Sequence, residues 1–553
     1  LRLLRINNID VDLDDLTAIG VDFQSYDVKE PGKAFIKVTN TFTIPATSNN
    51  LGIFGNIQNG QSLSTKVYDE ALCDYWVDNE QLITNAKCRV DEIEERISIF
   101  VFEKADIWDQ LKDVLWPDFI LDFIVWMKIN KGLYSFGSPF VGTFPDFITE
   151  FSNNTEGIIL PMTWGNLFSQ PLLDSPGNFV ERLNTIYLYI KFTEGSPTVT
   201  TESDGGHFSI FAKTIFEYIE DTYNVNFLTS GGVAVGNIWD DAIAPLVYID
   251  SKEIAIEVSG TLDNYTIYFN PSGDGSLFLP HKDIRDKPDK TLYDFVNSFM
   301  QEFNILKDEL NIDGEDVIRF ARFDDLETLA EVVDWSDNMA GKPKFKPFIE
   351  GYGQNNFIKF STVYEDGDSL LNSKTIVSEN RNLDLQKDLF EIDAHVPAVD
   401  IVGNDAYLDL SKKEAFKTFT FMLNDGLTDN TVVWFEEGVV GAADVTLKLP
   451  KAALYSLDSE YNFLDDIITH PRFYEAKKWL TLSDIKGFEF FKQYFIRELN
   501  GSFFMNKISG FNPQKSKEPT TLELIKISDK TPIADPDLDF WTDGVVDPWT
   551  DGD

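Results

Sequence analysis

Between Ile36 and Ile44 the chain alternates almost without error. Ile36, Val38, Phe42 and Ile44 share one parity, and Lys37, Thr39, Thr41 and Thr43 share the other. A period of two is that of a half-buried strand, apolar towards a core and threonine-lined towards water. Pro45 closes it, and Thr47-Ser48-Asn49-Asn50 is expected to turn the chain. Residues 87–102 read as a hairpin whose second strand puts Ile97, Ile99 and Val101 on one face. Asp106 stands where a helix N-cap belongs, ahead of a stripe of Ile107, Trp108, Leu111, Val114 and Leu115. The first 115 residues therefore read as a small β-barrel or sandwich flanked by one helix.

Residues 116–205 are aromatic and rich in turn signals, with one strand near 184–192, and read as an insert. A helix is expected around 208–225, with Phe211, Ile215, Tyr218 and Ile219 on one face. A more regular one follows at 290–305, where Leu292, Phe295, Val296, Phe299 and Phe303 fall at helical spacing. Strands are expected at 318–328 and 355–364 around a loop at 332–345. The last third returns to strands and ends in a hairpin that buries Leu522, Leu524 and Ile525. The fold class is multidomain and mainly β with a few packed helices (α+β). The expected division is 1–115, 116–290, 291–400, 401–532 and a tail at 533–553.

Composition narrows the function. The 553 residues exceed one core, and 43% hydrophobic with 14% aromatic content excludes wholesale disorder. With 47 basic against 92 acidic residues the formal charge is −45, so a nucleic-acid backbone is repelled rather than gripped. Such a chain suits a passage through which DNA slides without specific binding. Cys73 and Cys88 are the only cysteines and read as reduced thiols. No signal peptide is expected in the acidic opening, and the apolar run at 116–129 carries Asp118 and Asp122 and is short for a bilayer.

Catalytic chemistry leaves no constellation. His207, His281, His395 and His470 stand singly, none at metal-ligand spacing with another histidine or cysteine. Nucleophile-elbow, Walker and Rossmann glycine patterns are missing. The aspartate runs at Asp10 and Asp535 fail the calcium-loop template: its glycine position holds Asp15 or Phe540, and its glutamate position Val21 or Val546. The Asp334-Trp335 loop and the aromatic stretch from Gly351 could form a sugar-stacking platform, but a loop and strand covering a core explain them better. No catalytic, cofactor-binding or metal residue is assigned, and no cofactor is expected.

The tail differs. Residues 533–553 hold seven aspartates, no basic residue, and the unit Trp-Thr-Asp-Gly twice, at Trp541 and Trp549. Tryptophan is a frequent anchor in interface pockets, so Trp541 and Trp549 are expected to dock against another chain.

Four segments, at 40–56, 97–111, 331–360 and 499–527, resemble in order and texture the tail-hub, or baseplate-hub, proteins of tailed bacteriophages, particularly those of Bacteroidota. The resemblance implies a non-enzymatic virion protein that forms a homo-oligomeric ring, trimeric by preference. Its implied partners are other tail proteins: the tube, the distal tail, and a spike or fibre. It implies assembly in the host cytoplasm, no membrane, and β-barrels of which the 36–44 strand is a wall. Two alternatives stand beside it: a ring or adaptor subunit of a short-tailed, crAss-like phage, and a receptor-binding or glycan-degrading tail protein.

Overall fold

The computed structural model describes residues chiefly in the blocks 2–24, 36–56, 65–130, 207–228, 289–326, 331–360, 373–395 and 461–528, with short gaps inside several. Isolated strands between 158 and 452 are described as well. Strands dominate, and few helices accompany them.

Two hairpins open the fold. β1 (Arg2–Ile6) and β2 (Ile9–Asp10) are joined by Asn7-Asn8, and β6 (Ala71–Val77) and β7 (Glu80–Ile93) by Asp78-Asn79. All four joining residues have positive φ, the geometry of a two-residue turn whose twist matches the strands. Of the ten non-glycine residues with positive φ among those described, nine are asparagine, so asparagine does at turns here what glycine does elsewhere.

The strand expected at 36–44 is two strands, β4 (Ile36–Thr39), which lies between β3 (Val21–Gln24) and β8 (Arg96–Glu103), and β5 (Phe42–Pro45). Both pair with β8, Val38 opposite Phe102 and Phe42 opposite Ile99, so the alternating chain carries one residue more than its partner between those points. The expected turn at 47–50 is instead the start of helix α1 (Ser48–Ile53). Thr47 caps it, accepting from the Asn50 backbone N–H at 3.2 Å. The buried Asn50 amide accepts from Asp12 N–H at 2.9 Å and donates to Asp12 O at 2.9 Å and Pro45 O at 2.8 Å. The helix is held by a segment nearly forty residues earlier, which no local pattern reveals.

Beyond β8, α2 (Asp106–Asp113) buries Ile107, Trp108 and Leu111, while Leu115 is exposed. Helix α3 (Trp116–Asn130) then occupies the start of the stretch read as turn-rich. It buries Trp116, Phe119, Ile120, Phe123 and Met127, a helical stripe. Val125 and Ile129 are apolar but exposed, which hid that stripe even though Asp118 and Asp122 also face outwards. Helix α4 (Ala212–Tyr223) packs Tyr218 edge-on against Phe119 and Phe123 at 5.3 and 5.6 Å. Helix α5 (Leu292–Glu302) begins at a capping box of Thr291 and Asp294 and stacks Phe295 on Trp116 at 5.2 Å. Among the described residues no helix is long and apolar enough to cross a membrane.

The remaining elements used below are β9 (Ile305–Ile312), β10 (Glu315–Arg322), β11 (Val332–Asp334), β12 (Lys344–Lys346), β13 (Gly353–Phe360), α6 (Asn462–Thr469), β14 (Phe473–Lys478), β15 (Gln493–Ile496), β16 (Gly501–Phe511) and β17 (Thr520–Ser528). A sheet of 14 strands runs β2-β1-β6-β7-β8-β4-β3-β16-β17-β14-β12, with β5 on β8, β15 on β16, and β11 parallel to β15. Strands from 1–115 and from beyond 470 thus lie in one hydrogen-bonded sheet, joined where β3 meets β16. Leu522, Leu524 and Ile525 are all fully buried in β17.

One polar cluster fixes the opening segment to this sheet. Asp14 accepts from the Arg96 guanidinium at 2.6 and 3.0 Å and from Thr17 N–H at 2.9 Å, and Arg2 donates to the Asp14 carbonyl at 3.1 Å. The Arg96 hydrogen bonds hold the Asp14 carboxyl well below the usual carboxylate range. A carboxyl depressed in the folded chain adds stability above its unfolded pKa, and that stability fades as pH falls through and below about 4. Urea midpoints at pH 7 and pH 3 test this: Arg96→Ala should show a smaller drop on acidification than the parent. Equal drops would remove Asp14 from the acid response.

Candidate functional site

The loop between β11 and β12 is the part of the described chain where exposed aromatic and basic groups gather around an anchored core. Trp335 is buried, its ring 4.4 Å from Tyr494 and 5.9 Å from Phe488, and Tyr352 is buried too. The rings considered as a sugar platform therefore face inwards. Asp334 accepts from Ser336 N–H at 2.8 Å, and Ser336 Oγ accepts from Arg497 N–H at 2.8 Å, tying the loop to the end of β15.

Lys478 anchors the loop from below. Its Nζ donates to Trp335 O at 3.0 Å and to Asp337 O, and lies 5.4 Å from the Trp335 ring centre. Burial pushes the Lys478 ammonium below its usual pKa, with the nearby carboxylates of Asp484, Asp337 and Asp334 acting the other way. The loop zips along β14 through Ala340 N–H to Lys477 O at 2.6 Å and Trp479 N–H to Asn338 O at 3.0 Å. Asn338 and Gly341, both at positive φ, supply the bends that deliver the chain to β12.

β12 is one end of the large sheet, three residues long and exposed throughout. Phe345 is 53% exposed and rests on Tyr474 at 5.3 Å. Lys346 pairs with Glu475 at 2.6 Å, and that hydrogen bond, with Lys344 and Lys477 near, holds Glu475 below its usual pKa. Lys342, Lys344 and Lys477 are exposed beside them. From Asn338 to Ile349 the sequence holds no acidic residue. Short length, lysines and flanking Pro343 and Pro347 are the devices by which sheet edges avoid indiscriminate pairing.

A second polar group braces the interior. Arg319 on β10 contacts Asp308 on β9 and Glu489 at 2.6 Å, and Lys492 joins Glu489 at 3.0 Å and Glu331 at 3.2 Å. These pairs tie β9 and β10 to the segment before β15. Cys73 and Cys88 are free thiols; burial raises both, Cys88 to about 12, which keeps them protonated and unreactive.

His470 is exposed 3.2 Å from Asp466, while His207 and His395 lie in strands far apart in sequence. His281, Trp541 and Trp549 lie outside the described residues. Among the described residues no three His, Cys, Asp or Glu side chains are grouped to hold a metal ion. Sequence reasoning missed Lys478 and the basic edge; the repeat Lys-Pro-Lys-Phe-Lys-Pro at 342–347 was the available signal.

No protein-family model matches the sequence, and no curated protein matches it. Among solved structures the chain is similar to the 43 kDa tail protein of prophage MuSo2 from Shewanella oneidensis. That match has 8% identity and a TM-score of 0.35, over 95% of this chain and 98% of that one. The prophage tail protein gp18 of Listeria monocytogenes matches at 5% identity and TM-score 0.31, over 95% and 94%. The half-lidded Francisella PdpA-VgrG complex matches at 8% identity and TM-score 0.27, over 96% and 58%.

Lys478→Met keeps the stem but strands two carbonyls, a loss of about 2 kcal/mol at the usual cost of an unpaired buried group. Urea unfolding should show that loss, and amide exchange should quicken at Ala340 and Trp479. Unchanged exchange at both amides would mean the loop holds without the lysine.

Proposed function

We propose that this chain is a structural subunit of a bacteriophage tail, one that forms a ring-shaped hub around the DNA exit path and joins the tail tube to a distal spike or fibres. One observation carries the reading. The four segments that resemble tail-hub proteins, spread from residue 40 to residue 527, all send strands into the same 14-stranded sheet. They contribute β5, β8, both β11 and β12, and the β16–β17 hairpin. A resemblance spread over distant stretches gains weight when those stretches form one unit.

Two physical features support the same reading. A net charge of −45 disfavours trapping of DNA in a passage. A sheet with two ends, β2 and β12, leaves surfaces from which closed cyclic symmetry can be built. A trimer is the favoured symmetry, and the protein acts without catalysis.

Light scattering of the purified chain at tens of micromolar should give three times the chain mass, with rings in averaged electron micrographs. A strict monomer, or open filaments, would sink the ring. Incubation with polysaccharide, peptidoglycan or peptide should yield no product above blank. Turnover that disappears on a single Asp→Asn or Glu→Gln change would overturn the non-enzymatic assignment.

A further inference from the structure

The basic end of the sheet stands out against the acidity of the whole. Lys342, Lys344, Lys346, Arg472, Lys477 and Lys526 gather around β12, the neighbouring end of β14 and the end of β17, with Glu475 and Glu523 among them. Lys342, Lys344 and Lys346 stand at alternate positions in a run with no acid from Asn338 to Ile349, unusual in a chain where acids outnumber bases 92 to 47. Phe345, between Lys344 and Lys346, presents a half-exposed ring on the opposite face of the same strand, against Tyr474.

The described chain also ends here. β17 pairs with β14, Phe473 opposite Ile525, and β14 pairs with β12, Lys346 opposite Phe473. Ile525 therefore stands two strands from Lys346, and the chain leaves β17 three residues further along at Ser528, about 14 Å from Lys346 at the usual strand spacing and rise. The 25 residues that follow span up to roughly 80 Å when extended. They include the seven aspartates and the two tryptophans of 533–553.

We propose that the C-terminal segment 533–553 docks on the β12 edge of its own chain, its aspartates against Lys342, Lys344 and Lys477 and a tryptophan against Phe345. Tethering supplies an effective concentration of about a millimolar or more, enough to make weak ionic and aromatic contacts persist. The lysines discourage pairing with a like edge and favour an acidic strand, so the device that blunts this edge also selects its occupant. This revises the expectation that Trp541 and Trp549 dock on another chain. It is independent of the ring reading, since surface and segment belong to one copy.

Carbodiimide cross-linking of the full chain tests it, on an equal mixture of normal and ¹⁵N-labelled protein. Amide links should join the aspartates between 535 and 553 to Lys342, Lys344 or Lys477, within one isotope. They should exceed links to Lys112, Lys486 and Lys515, whose side chains are 46%, 47% and 50% exposed. The Lys346–Glu475 link reports that the edge is folded. K342E with K344E should cut the tail links at least fivefold and leave Lys346–Glu475 intact. Tail links spread evenly over all lysines, or absent while Lys346–Glu475 forms, would overturn the proposal. So would tail links of mixed isotope, which place the segment on a neighbouring copy.

Discussion

A short ladder between Val21–Gln24 and Lys507–Phe511 carries the architecture. Val21 faces Phe511, Phe23 faces Ile508, and the Asp22 carboxylate accepts from Gly510 N–H at 2.5 Å, across 488 residues. On one side of it lie the hairpins of the first hundred residues, and on the other β16 brings in β17, β14 and β12. Closing so long a loop costs only logarithmically more than closing a short one. Burial of Val21, Phe23, Ile508 and Phe511 rewards the closure locally. Without it the chain would hold two part-sheets, each with an unpaired edge.

The helices serve this frame by filling it with rings. Trp116 touches Phe119 at 4.9 Å, Phe295 at 5.2 Å and Phe419 at 4.8 Å, and Phe216 meets Phe299 at 5.2 Å and Phe320 at 5.8 Å. Edge-on and offset contacts of this kind add to simple burial and fix ring orientation. Among the described residues, Phe119, Phe216, Phe295, Phe299 and Phe320 form the mortar between helices and sheet.

How much of this was legible follows from range. Local signals read well: the helical stripe from Leu292 to Phe303, the 87–102 hairpin, and the alternate Leu522 and Leu524 of β17 follow from spacing alone. Helix α1 did not, because its caps answer to Asp12, and six residues make too short a period to see. Helix α3 did not, because exposed Val125 and Ile129 broke its two-sidedness. Which strands pair across the chain was illegible in principle: alternation says that a strand has a buried face, never which neighbour supplies its hydrogen bonds. The candidate site suffered the same way. Lys478 looks like one of two adjacent lysines, and only its position under Trp335 makes it an anchor.

The β3–β16 ladder also sets a timetable for synthesis. At elongation rates of roughly 5 to 20 residues per second, the 488 residues between Asp22 and Gly510 take about half a minute to a minute and a half to emerge. Throughout that interval the open edge of β3 has no native partner, while its other edge can already hold β4. Nascent chains on one messenger meanwhile expose the same edge side by side. Folding of this protein is thus a matter of guarding one strand until its partner, the second to last of the sheet's strands in chain order, is made, and factors that bind nascent chains have a defined window in which to act.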